Sequence, residues 1–143
     1  MNIAFYVDSI AEGEQSKQIF NCLNNAVKEH KVSDASIFYN TPSPNLNTAK
    51  FGFFNSTELW AYTGLLINTT VQNAVYSLNV VNKFKPVYLF KKERDIMGLI
   101  HLTSRMPIFV ASAEDEQEVY RLTGKKPKLV SLDAESLIEA ANE

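Results

Sequence analysis

The residues of this chain that could do chemistry stand directly after apolar runs. Asp8 and Ser9 follow Ala4-Phe5-Tyr6-Val7, and Asn55 and Ser56 follow an aromatic run at 51–54. Lys91, Lys92 and Arg94 follow Val87-Tyr88-Leu89-Phe90, and Ser112 follows Ile108-Phe109-Val110-Ala111. Thr63 and Gly64 close Leu59-Trp60-Ala61-Tyr62, with Asn68 shortly beyond. A glycine that opens a helix leaves free N–H groups able to hold a phosphate or carboxylate. Gly64, Asn68, Lys92 and Arg94 are therefore a candidate anion-binding set. Asp8, in a group with Glu12 and Glu14, is the candidate general base. The competing reading is plainer: Gly64 makes a turn and the acidic residues are a solvated loop and helix start.

For these residues to meet, the apolar runs must be parallel strands whose carboxyl ends share one rim, where open α/β sheets bind ligands. The pattern predicts about seven strands, at 2–7, 35–39, 51–54, 58–62, 87–90, 108–111 and 128–131. Helical spacing of Ile19, Leu23, Ala26, Val27 and His30 predicts an amphipathic helix. A long helix is expected over 66–84, with an apolar stripe that includes Ile67, Val71, Ala74, Val75, Leu78, Val81 and Phe84. A short one is expected over 95–105. Ser112 reads as an N-cap with Asp115 three residues on, Gly124 as the residue closing that helix, and Asp133 as the cap of a last one. Residues 40–50, with Pro42 and Pro44, form the longest non-periodic stretch. The expected fold is α/β: a single Rossmann-like three-layer α/β/α sandwich with a mostly parallel sheet, one domain over 1–143.

Several chemistries lack their motif. The turn after the first strand reads Asp8-Ser9-Ile10-Ala11-Glu12-Gly13, not G-x-G-x-x-G, and no G-x-x-x-x-G-K-[ST] occurs. A response-regulator receiver needs an Asp after its third strand, where neither Asn40 nor Asn55 supplies a carboxylate. One Ser after the first strand is too few for a flavodoxin-like loop. His30 and His101 are the only histidines, and neither has ligand spacing. No cofactor and no metal is expected. No G-x-S-x-G elbow is present. The net charge of −2 disfavours a general nucleic-acid binder. A single cysteine, Cys22, suits a reducing compartment and reads as a small buried hydrophobe. With no signal-peptide pattern and no bilayer-length apolar run, a cytoplasmic location without membrane contact is expected.

The aromatics Phe51, Phe53, Phe54, Trp60 and Tyr62 crowd a short stretch. Phe51 and Phe53 should share one face and Phe54 the other. If 51–54 is an edge strand, exposed rings there would mark a self-association or partner surface.

The segment from Phe54 to Ile67, centred on Trp60-Ala61-Tyr62-Thr63-Gly64, and the segment Ile108-Phe109-Val110-Ala111-Ser112-Ala113-Glu114-Asp115 resemble small Rossmann-like proteins of T4-type tailed phages. Those proteins are in turn similar to the N-terminal half of GT-B glycosyltransferases. GT-B enzymes place the sugar nucleotide mainly on a second domain, so the resemblance carries over no catalytic residue. It implies a non-catalytic interaction module: a phage accessory protein acting on a host component through protein–protein contacts in the host cytoplasm, as a possible homodimer. The alternative is a small glycosyltransferase-like enzyme, or a nucleotide or nucleotide-sugar binder, using the strand ends.

Overall fold

A computed structural model describes residues 1–10, 13–43, 48–80 and 83–143. Its strands are β1 (Ile3–Ser9), β2 (Ala35–Thr41), β3 (Gly52–Asn55), β4 (Thr63–Asn68), β5 (Lys83–Leu89), β6 (Ile108–Val110) and β7 (Lys128–Leu129). Its α-helices are α1 (Glu14–Lys28), α2 (Val71–Leu78), α3 (Ile96–Thr103), α4 (Ala113–Thr123) and α5 (Ala134–Asn142), with a 3₁₀ helix at Ser56–Ala61. All seven strands join one sheet in the order β3-β2-β1-β4-β5-β6-β7, and every neighbouring pair is parallel. The order reverses between β1 and β4. This is a Rossmann-like topology with its switch point at that seam.

The strands are apolar on both faces because helices cover both. Ile3, Phe5 and Val7 of β1 join Ile37, Leu65, Ile67, Val87 and Leu89 beneath α1 and α5. Ala4, Tyr6, Phe38 and Leu66 face the other way, beneath Leu59 of the 3₁₀ helix. Tyr88, Phe90, Ile108 and Val110 continue that second layer under α2, α3 and α4. Right-handed crossovers explain the split. Steps from β1 towards β3 put helices on one face, and steps from β4 towards β6 put them on the other.

Caps set the helix starts. Thr70, Asp95, Ser112 and Asp133 each accept a backbone N–H three residues on, from Asn73, Gly98, Asp115 and Ser136. Gly124 ends α4 at φ 74, the left-handed conformation expected of it. At the other end of α5, Lys85 Nζ donates to Ala141 O and Lys128 Nζ to Ala140 O. Two cations thus meet the negative end of that helix.

One stretch departs from the sequence expectation. Residues 58–62 are not a strand: Asn55 Oδ1 accepts Thr57 N at 3.0 Å and starts the 3₁₀ helix instead. The strand begins only at Thr63, and α2 begins at Val71, so the expected helix over 66–84 is a strand, a shorter helix and the start of β5. The expected stripe residue Val81 lies outside the described residues, as do 44–47 of the 40–50 stretch. No helix of the described residues is long and apolar enough to cross a membrane.

Candidate functional site

The carboxyl ends of β1 and β4 diverge at the switch point, and α1 begins beside them. Between them lies a cleft of about 400 Å³. Its apolar floor is Val7, Ile19, Phe20 and Ile37; its polar wall is Asp8, Ser9, Glu14, Gln15, Ser16, Thr69, Thr70 and Lys91. A second hollow of about 210 Å³ shares Glu14, Gln15, Ile19 and Lys91 and runs along the rim to Ala111 and Asp115.

The wall is braced from the opposite face of the sheet. Thr69 donates to Tyr6 O through both its N–H and its Oγ1, each at 3.1 Å, which ties β4 to β1 where they part. Tyr6 Oη donates to Asn40 Oδ1 at 2.6 Å. Asn40 Nδ2 in turn donates to Asp8 Oδ1 at 3.1 Å and to Asn73 Oδ1 at 2.9 Å. Burial raises the Tyr6 phenol, while its hydrogen bonds with Ser56 and Asn40 partly oppose that rise. Tyr6 therefore stays a neutral donor. Ser9 Oγ and Ser43 Oγ share a hydrogen bond at 2.7 Å.

The expected site residues divide. Asp8 and Ser9 line the cleft. Ser56 reaches the same network through Tyr6, and Asn55 stands next to it but spends its side chain on the 3₁₀ cap. Lys91 enters the cleft, whereas Lys92 and Arg94 are exposed beyond it and do not line it. Ser112 lies farther along the rim, and its hydroxyl caps α4.

Thr63 and Gly64 are misplaced by the sequence reading. They open β4, at the opposite end of the sheet from Asp8. Gly64 has φ +131, and a Cβ there would meet Asn2 O at 2.5 Å. Leu65 N donates to that same oxygen, and Asn2 Nδ2 donates to Thr63 O. The glycine lets two backbones approach closely; it does not open a helix. Asn68 is fully buried between Tyr6 and Tyr88, with Nδ2 donating to Val87 O at 3.1 Å. Its Oδ1 has no hydrogen-bond partner among the described residues. Glu12 lies outside the described residues.

Asn40, Thr69, Thr70 and Asn73 were missed. The available signal was Asn73, a polar residue inside an apolar stripe, following Thr70 at capping distance.

Among the described residues the lining includes Asp8 and Glu14 against Lys91, with the Asp8 carboxylate accepting from Asn40. Glu14 sits in the first turn of α1, so the positive end of that helix already has its anion. The arrangement is rich in acceptors and hydroxyls and poor in phosphate donors. Among the described residues no three His, Cys, Asp or Glu side chains gather to hold a metal ion.

Comparison with protein-family models, curated proteins and solved structures finds no significant match to this chain. The likeness to phage proteins and to GT-B halves rests on the quoted segments alone.

Proposed function

We propose that the chain is a non-catalytic binding module whose switch-point cleft takes a small, neutral, hydroxyl-rich ligand of the sugar class. One observation carries this reading: Glu14 stands with Ser16, Thr69 and Thr70 around an apolar floor that includes Phe20, and Asp8 ends the strand beside them with its carboxylate held by Asn40. Carboxylates accept hydrogen bonds from sugar hydroxyls, and charge-assisted bonds of this kind are the stronger ones. An apolar floor suits the C–H face of a sugar ring. A nucleotide polyphosphate fits less well, because two carboxylates would repel it and Lys91 alone would oppose them. Binding is favoured over catalysis because Asp8 is held by Asn40, and both histidines stand away from the cleft: His30 beyond the far end of α1 and His101 on α3.

Isothermal titration with neutral mono- and disaccharides, alongside nucleotides and nucleotide sugars, tests the reading. Saturable binding of a neutral sugar is expected, weakened by Asp8→Asn and by Glu14→Gln. Binding of nucleotides alone, or of nothing in the panel, would contradict it.

A second reading, contact with protein, is favoured by a different observation. Trp60 is 70% exposed beside the sheet edge, with Phe54 and Phe53 also open to solvent.

A further inference from the structure

The two edges of the sheet are unlike each other. At one, β7 is two residues long, follows Pro127 and carries Lys128. A short strand, a proline and a lysine are the usual guards against edge pairing. At the other, β3 reads Gly52-Phe53-Phe54-Asn55, twice as long as β7 and with neither a proline nor a lysine in it. Among the described residues no strand lies beyond it, and Phe53 and Phe54 are 37% and 41% exposed on opposite faces.

Charges bracket this open edge with opposite signs. Lys50 precedes the strand and Glu58 follows it. Both are exposed, and neither forms an ion pair among the described residues.

We propose that a second copy of this chain covers the edge, with two β3 strands running antiparallel about a two-fold axis normal to the sheet. That axis keeps each face on its own side, so only registers pairing residues of the same face are allowed. Glu58 lies in the 3₁₀ helix that follows the strand, and antiparallel pairing turns the Lys50 end of each β3 towards the Glu58 end of the other. The symmetry makes that approach twice, and the opposite charges favour this orientation over a parallel one. The seam is short, so the pair forms reversibly and depends on concentration. This inference does not depend on the sugar-binding reading.

Sedimentation equilibrium over a wide concentration range reads the association, with circular dichroism confirming the fold of each variant. The natural chain is expected to pass from monomer to dimer. Lys50→Glu and Glu58→Lys should each weaken the dimer by about tenfold, because each sets like charges opposite one another. An equimolar mixture of the two variants should recover the association, since both cross-axis contacts are then of opposite sign. A lesion in folding could not be repaired by mixing. The proposal is overturned by a strict monomer, by single variants that associate as the natural chain does, or by a mixture no better than its components.

Discussion

Asn40 Nδ2 donates to Asn73 Oδ1 at 2.9 Å, joining the end of β2 to the first turn of α2 across the end of β1. Asn73 is 2% exposed, and its own Nδ2 donates to Tyr6 O at 3.4 Å. The cleft wall on one face of the sheet is therefore held by a polar network on the other. Removing Asn73 leaves Asn40 short of an acceptor. Asn73→Ala is expected to cost about 1–3 kcal/mol. Urea unfolding should show a lower midpoint with an unchanged slope. An unchanged midpoint would mean that the network adds nothing.

Gly64 separates the structural role from the ligand role that the sequence suggested. Gly64→Ala places a Cβ against Asn2 O at a φ of +131. The expected loss of stability is about 2 kcal/mol or more. Thermal unfolding reads the loss, and sugar titration of the folded variant should match that of the natural protein. Loss of binding without loss of stability would return Gly64 to a ligand site.

Cys22 is 4% exposed, and burial, followed by the charge of Asp133, pushes its thiol up to about 12. The native thiol should resist iodoacetamide at neutral pH and react once the chain is unfolded. The sign of its effect on stability follows. A raised folded value contributes stability that is fully present below the ordinary thiol value of 9.0 and is lost as pH rises from there towards 12. Cys22→Ala should flatten the start of the alkaline fall in unfolding midpoint. A fall identical in both proteins would assign it wholly to other groups, such as Tyr62 and Tyr88, whose phenols burial also raises.

Leu59 is the only buried residue of the 3₁₀ helix and is fully enclosed against Ala4, Tyr6, Phe38 and Leu66. Leu59→Ala should cost about 2–5 kcal/mol. Trp60→Ala, at the exposed neighbouring position, should change stability little. Chemical denaturation of both variants checks the contrast, and equal losses would contradict the burial pattern.

Much of the architecture was legible because several strands are short apolar runs that end in polar residues, as Ala4-Phe5-Tyr6-Val7 before Asp8 and Ile108-Phe109-Val110-Ala111 before Ser112 show. Caps such as Ser112 and Asp133 were legible because one hydroxyl or carboxylate satisfies a backbone donor locally. The stretch 58–70 was not. Leu65-Leu66-Ile67 continues without a break in hydrophobicity towards Val71 and Ala74, so strand and helix merge into one stripe. Gly64 was read as the end of a strand because sequence does not show what approaches it; the approaching group is Asn2, distant in the chain. For the same reason Asp8 and Ser9 were found at the rim, while Asn40 and Thr69 were not. Their roles depend on Tyr6 lying between them.

The central claim is that Asp8, Glu14, Thr69 and Thr70 line one sugar-binding cleft where β1 and β4 part. An amide NMR titration with the best-binding neutral saccharide tests it most directly. The largest shifts are expected at residues 8–10, 14–16, 69–70 and 91, with Thr63 and Gly64 unmoved. Shifts centred on Thr63 and Gly64, or no saturable shift at any saccharide concentration, would contradict it.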